Sequence, residues 1–190
     1  MEHFYQNIQN WFNYQDVFLE AVQNAKEDSL FVEVGTWKGG STAFMGVEIH
    51  NSGKKIKYDA IDSFSGSKEH GDVSDFLYDE CKENLKTLID LNILTLIKAN
   101  SPEVSSNYED SSIDFCYVDG SHEYEDVKKD IAAWLPKVKP GGILAGHDFY
   151  GVNHQGYGKG WVGVFQAVDE AFGHENVENR GDSWIYIKPI

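Results

Sequence analysis

The sequence predicts an α/β fold: a three-layer sandwich in which helices cover both faces of a seven-stranded, mostly parallel sheet whose last strand is antiparallel. Three observations predict it. Short apolar, β-branched runs alternate with amphipathic stretches along the chain. A glycine-rich turn follows the first of these runs and opens a helix. The later runs also end in polar, mostly acidic residues, as strands do where a sheet edge faces a ligand.

Taken in order, residues 3–26 carry Phe4, Ile8, Trp11, Phe12, Phe18, Leu19 and Val22 near i+3/i+4 spacing, which predicts a helix. Phe31–Val34 is a strand and Thr42–His50 a helix. Ile56–Ile61 is a strand ending at Asp62, and Ser74–Leu88 a helix with an acidic start. Leu94–Lys98 and Ile113–Val118 are strands, the second ending at Asp119. Tyr124–Leu135 is a helix, Gly142–Ala145 a strand ending at His147-Asp148, and Val162–Phe172 a helix. Val177-Glu178 and Trp184–Ile187 form a terminal hairpin, turning at Arg180-Gly181-Asp182. The segment Phe149–Gly160, with four glycines, Tyr150, His154, Tyr157 and Lys159, reads as a mobile loop near a site or as a surface excursion.

A chain of 190 residues suits one domain. The expected organisation is an N-terminal helical segment, 1–28, packed on a domain spanning 29–190. Composition is globular, with 41% hydrophobic and 25% charged residues. The net charge of −15 repels phosphate backbones and anionic membrane surfaces, so nucleic acid and membrane are excluded as expected partners and a small molecule is favoured. Two cysteines without metal spacing, no signal-peptide pattern and no apolar run of membrane-spanning length predict a reduced, cytoplasmic protein. Trp11, Phe12 and Tyr14 are expected to be exposed, either as a homodimer contact or packed on the domain.

The segment Phe-Val-Glu-Val-Gly-Thr-Trp-Lys-Gly-Gly-Ser-Thr, residues 31–42, is the richest. Its glycines let backbone approach a ligand, and free N–H groups at the helix start attract a carboxylate or phosphate. Glu33 at the strand end suits a cation or hydroxyl. The spacing E-x-G-x-x-x-G is neither the dinucleotide fingerprint nor a P-loop. It resembles the first motif of class I S-adenosylmethionine-dependent methyltransferases; the alternative is an ordinary turn with structural glycines.

Other strand ends are equally polar. Asp62, 27 positions beyond Gly35, is placed to accept hydrogen bonds from ribose hydroxyls, and Phe64 to cover an adenine face. Asp62-Ser63 and Asn100-Ser101 also read as caps. In Tyr-Val-Asp-Gly-Ser-His-Glu-Tyr, residues 117–124, His122 follows a sharp turn after Asp119 and is a candidate general base, with Lys38 a second. Asp119, His147 and Asp148 offer two carboxylates and an imidazole, a set suited to Mg²⁺, Mn²⁺ or Fe²⁺.

Together with Ala-Ile-Asp-Ser-Phe, Lys-Pro-Gly-Gly-Ile-Leu-Ala-Gly-His-Asp-Phe and Gly-Val-Phe-Gln-Ala-Val-Asp-Glu-Ala-Phe, these motifs resemble the methyltransferase domain 24 branch, related to catechol and sugar O-methyltransferases. The resemblance covers roughly residues 30–188. It implies a Rossmann-like domain that transfers a methyl group from S-adenosylmethionine to a hydroxyl of a small acceptor such as a sugar. By it, Glu33, Gly35, Thr36, Gly39 and Ser41 surround the methionine part of the cofactor. Asp62 holds the ribose, and Ser63, Phe64, Asn100 and Ser101 line the adenine. Asp119 contacts the cofactor as well. Asp119 and Asp148 match metal-ligand positions for a divalent ion such as Mg²⁺, and His122 matches the base. One departure stands out: relatives often carry Asp-Asp or Asp-Asn where this chain has His147-Asp148. Two alternatives remain, a metal-dependent hydroxylase-like enzyme and a non-catalytic module binding S-adenosylmethionine or S-adenosylhomocysteine.

Overall fold

The computed structural model describes residues 1–66, 76–149 and 162–190. The strand order is β3-β2-β1-β4-β5-β7-β6, a seven-stranded Rossmann-like sheet. Its strands are β1 (Ser29–Val34), β2 (Ile56–Asp62), β3 (Thr95–Lys98), β4 (Ile113–Val118), β5 (Val138–Gly146), β6 (Glu178–Arg180) and β7 (Ser183–Ile187). The helices are α1 (Gln15–Asn24), α2 (Gly40–Ser52), α3 (Leu77–Asn84), α4 (Lys86–Asp90), α5 (Ser101–Val104), α6 (Tyr124–Trp134) and α7 (Val162–Phe172). The chain divides into two compact units, Met1–Asn100 and Ser101–Ile190.

In the first unit β1, β2 and β3 pair in parallel, Phe31 beside Tyr58 and Asp59 beside Thr95. β1 is buried on both faces apart from half-buried Leu30, which suits its apolar residues on both faces, Glu33 being a buried exception near its end. At its far end Lys54 Nζ donates to the carbonyls of Val22, Gln23 and Ala25 at 2.6–2.9 Å, closing the C-terminus of α1. Carbonyls at a helix C-terminus are left short of donors, Val22 O accepting besides from the Ala25 cap N–H at 3.3 Å, and a cation complements their dipoles.

The single helix expected over residues 3–26 is not formed. A 3₁₀ turn at Tyr5–Asn7 and α1 are separated by non-helical chain. The cause is Asn10, whose Nδ2 donates to Tyr5 O (3.0 Å) and Ile8 O (2.6 Å) while its Oδ1 accepts from Phe12 N–H (3.1 Å). Such side-chain bonds offer the backbone an alternative to the helix. Tyr14, expected to be exposed, is buried, and Phe12 is half-buried; Trp11 remains 63% exposed.

In the second unit β4 and β5 are parallel, β7 runs antiparallel to β5, and β6 antiparallel to β7. The strand expected to start at Gly142 starts at Val138. Between the pairs Ile113–Val138 and Phe115–Ile143 the register shifts, and Gly141 adopts φ +77°. The Pro140-Gly141-Gly142 sequence that reads as a turn is a bulge within the strand. The expected helix Ser74–Leu88 is two helices, α3 and α4, divided at Leu85, and its first residues lie outside the described ones. The loop expected over Phe149–Gly160 lies outside them too, except for buried Phe149.

A carboxylate lies in the core of the second unit. Asp130 on α6 is 5% exposed and accepts a 2.6 Å hydrogen bond from Ser101 Oγ, which in turn accepts from Trp134 Nε1 at 2.8 Å. Burial pushes the Asp130 carboxyl up to about 6, the Ser101 bond opposing only in part. The fold therefore favours the protonated form. That contribution is complete below the unfolded carboxyl value near 4 and is lost as pH rises through about 6. Asp130→Asn, neutral at every pH, should exceed the wild type in stability by about 1–3 kcal/mol at pH 7.5 and by little at pH 4. Urea unfolding of both proteins at the two pH values measures this.

Candidate active site

The glycine turn after β1 is shaped by one carboxylate. Gly35, at φ +94°, donates to Ile61 O at 2.9 Å. The amides of Thr36 and Trp37 then both donate to Asp62 Oδ2, at 2.9 and 2.8 Å. Asp62 Oδ1 accepts from Phe64 N–H at 2.7 Å. Trp37 and Phe64 sit at φ +50° and +54°, a region costly for large side chains, so the Asp62 bonds hold strained backbone. Gly39, at φ +93°, caps α2, and a Cβ there would meet Leu85 Cγ at 2.9 Å. Lys38 Nζ pairs with Glu80 Oε1 at 2.9 Å and with Gln9 Oε1 at 3.0 Å.

Beneath the turn lies a buried polar knot. Glu33, 1% exposed, accepts from Ser41 Oγ at 2.5 Å, from Thr42 Oγ1 at 2.6 Å and from Tyr58 OH. Burial, then the Glu33 charge, raises the Tyr58 phenol, which stays protonated and donates. The Glu33 carboxylate is thus engaged by hydroxyls inside the fold, where the sequence had offered it to a ligand. Thr42 and Tyr58 escaped the sequence reading; a lone tyrosine facing the core of a strand is the signal that could have found them. Thr36 Oγ1 is buried with no hydrogen-bond partner among the described residues. An orphaned hydroxyl in a glycine turn fits a polar ligand group there.

The residues expected around an adenine are placed less uniformly. Ser63 is exposed, its Oγ 2.7 Å from Ser65 Oγ, and Asn100 is exposed. Phe64 is buried edge-on against Tyr78, with centroids 5.1 Å apart. The Ser101 hydroxyl is committed to Asp130 and Trp134. Its backbone remains a candidate contact, but a hydroxyl contact to adenine is not favoured.

In the second unit β4 and β5 deliver an acid–imidazole cluster. Gly146 lets β5 close on its neighbours: a Cβ there would lie 2.5 Å from Val118 O and 2.7 Å from Trp184 Nε1. His147 N–H donates to Val118 O at 3.2 Å, and Asp148 follows at φ +60°. His122 Nε2 lies 2.8 Å from Asp148 Oδ2. His147 Nδ1 approaches Asp148 Oδ2 at 3.2 Å and Asp119 Oδ1 at 3.8 Å. His122 and Asp148 are both buried. Gly163 of α7 backs the His122 segment so closely that a Cβ would lie 2.5 Å from His122 O, a positioning contact the sequence did not reveal. Burial pushes the Asp148 carboxyl up, but hydrogen bonds from His122 and His147 outweigh it and hold it at about 2. Burial lowers His147, and the Asp148 bond with the Asp119 charge raises it further than burial lowers it. Asp119, His122 and Asp148 place ligand atoms within 4.8 Å of one another. The expected base thus joins the two expected carboxylate ligands in one cluster, with His147 beside it.

Residues 32–149 match the methyltransferase domain model, more than half of the chain. The chain belongs to the methyltransferase domain family. The matched residues run from within β1 to just past the end of β5, so they include both the glycine turn and the Asp119–His122–Asp148 cluster. Over 99 residues, 52% of this chain, it is 30% identical to the uncharacterized protein y4gI of Sinorhizobium fredii, of which the match spans 11%. Among solved structures, the candidate caffeoyl-CoA O-methyltransferase of Staphylococcus aureus superposes with a TM-score of 0.65 at 16% identity, covering 95% of this chain and 85% of that one. A candidate O-methyltransferase of Klebsiella pneumoniae gives 0.60 at 14% identity, covering 96% and 84%. At such identities the likeness is one of fold. Among the described residues no helix is long and apolar enough to cross a membrane.

The buried knot makes a stability prediction for this methyltransferase. Glu33→Ala strips three buried hydroxyls of their acceptor and should cost about 3 kcal/mol or more, whereas Glu33→Gln, which keeps an acceptor oxygen, should cost less. Chemical denaturation compares the two; equal losses would contradict the hydrogen-bond account.

Proposed function

We propose that this methyltransferase methylates a hydroxyl of a small acceptor such as a sugar, with His122 as general base. The observation that carries the reading is the 2.8 Å contact between His122 Nε2 and the Asp148 carboxylate. Asp148, held at about 2, is ionised at neutral pH and accepts. Nε2 therefore carries the hydrogen, and the lone pair sits on Nδ1, the atom that takes the acceptor's proton. Asp148 then fixes the ring and stabilises the imidazolium that forms. The net charge of −15 favours a neutral or cationic acceptor over nucleic acid.

S-adenosylmethionine, when bound, supplies an electrophilic methyl group for in-line displacement. For its methionyl part the candidates are the backbone of Gly35, Thr36 and Gly39, with the orphaned Thr36 hydroxyl as a polar partner. Glu33 and Ser41 would act by holding that turn. Asp62 would reach a ribose hydroxyl through the one Oδ1 lone pair the turn leaves, since each carboxylate oxygen has two and three of the four accept from backbone N–H groups. Ser63, Phe64, Asn100, the Ser101 backbone and Asp119 are the remaining candidate contacts. Much of the rate would come from holding donor and acceptor in line.

The Asp119 and Asp148 carboxylates, which lie in one cluster, fit a hard divalent ion such as Mg²⁺, with His122 kept for the proton. His147 is a further candidate ligand. Such an ion would polarise the acceptor oxygen and lower its proton affinity.

Two experiments check this. His122→Ala should retain micromolar calorimetric binding of S-adenosylmethionine and S-adenosylhomocysteine while turnover falls roughly 10²–10⁴-fold. Unchanged turnover would remove the base assignment. Chelation with EDTA should suppress methylation and Mg²⁺ restore it; full activity after chelation would leave the His122–Asp148 pair as the whole of the proton-transfer apparatus.

A further inference from the structure

The N-terminal segment lies outside residues 32–149, the part that matches the family, yet it packs on the glycine turn. Asn10 sits against the first residue of α2 so tightly that a Cβ on Gly40 would come within 2.4 Å of Asn10 Cβ. Gln9 Oε1 accepts from Lys38 Nζ at 3.0 Å. Between these residues and Phe12, whose ring packs on Tyr14 (4.6 Å) and Phe44 (5.1 Å), Trp11 is pinned outward, 63% exposed. Its indole lies 5.8 Å from that of Trp37, tilted by 40°, and Trp37 is itself a turn residue.

We propose that Trp11 is a wall of the methyl-donor site, its indole and that of Trp37 packing against the methionyl part of S-adenosylmethionine, sulfonium included. The assignment rests on the proposal that the turn at Gly35–Ser41 holds that part of the donor. Three features converge on it. Asn10 and Phe12, fixed on either side, leave the large apolar ring of Trp11 in water at the one place where it meets the turn. Indole is the aromatic ring that binds a diffuse cation best, and the sulfonium is such a cation. Lys38, the cation carried by the turn, is drawn aside by Glu80 at 2.9 Å and Gln9 at 3.0 Å.

The test is calorimetric titration of the full chain, wild type, Trp11→Ala and Trp11→Phe, with S-adenosylmethionine and S-adenosylhomocysteine, alongside thermal unfolding without ligand. Trp11→Ala should weaken S-adenosylmethionine about tenfold and the neutral thioether less, and Trp11→Phe should stay within about threefold of wild type for both. The ligand-free melting temperature should not move, because an exposed ring contributes little to the core. Wild-type affinity of Trp11→Ala for S-adenosylmethionine overturns the proposal. So does a lowered melting temperature with equal losses for both compounds, which marks a structural role. A wild type that binds neither compound would instead sink the donor-site reading itself, and the proposal with it.

Discussion

The carboxylate of Asp62 is the constraint on which the first unit's site depends. Three backbone N–H groups, those of Thr36, Trp37 and Phe64, converge on it at 2.7–2.9 Å. Two of the three residues lie at positive φ without being glycine, a conformation that costs of order 1–3 kcal/mol each unless the surroundings impose it. A charged acceptor bonded to amides offsets that strain, since such bonds are stronger than neutral ones. Asp62 therefore joins the end of β2 to the turn after β1 and fixes the chain that a ligand would meet.

The Glu33 knot works from below the same turn. Ser41 and Thr42 lie in the first turn of α2, and Tyr58 lies on β2, so one carboxylate ties β1, β2 and the helix start together. A buried carboxylate is tolerated only when its lone pairs are satisfied, and three hydroxyl donors supply much of that here. The turn between these two carboxylates is held from both sides by bonds within the fold, which is what preorganised recognition requires.

The strands and most helices were legible because their signal is periodicity, and burial obeys it: β4 and α7 have the expected bounds. Where the sequence misled, a local interaction outweighed the pattern. Asn10 bonds the backbone around it and interrupts the N-terminal helix despite the i+3/i+4 apolar spacing. Pro140-Gly141-Gly142 has turn chemistry, yet its neighbours pair and the residues are absorbed as a bulge. At the site, residue type and strand-end position brought Asp119, His122, His147 and Asp148 to notice, but not which of them touch. Contact across loops depends on side-chain direction, and no spacing rule encodes that His122 meets Asp148 at 2.8 Å. The Ser101 hydroxyl illustrates the converse: a polar residue after β3 suggested a ligand contact, and the fold uses it to satisfy Asp130.

The position of Asp148 limits the chemistry open to the second unit. Burial raises its carboxyl, and the two histidines lower it further than burial raises it. An imidazole and a metal ion compete for the same oxygens, because both are satisfied by Oδ2. With His122 donating through Nε2, Asp148 serves a base; with an ion between Asp119 and Asp148, the same carboxylate would share its charge with the ion and hold the ring less tightly. His147, 3.2 Å from the same oxygen, eases that competition. In the proposed reaction a proton taken at Nδ1 strengthens the Nε2–H bond of His122 to Asp148, and His147 lies against the same oxygen as a second donor. His147 therefore has a physical role of its own beside the proposed base: it helps hold one buried carboxylate ionised.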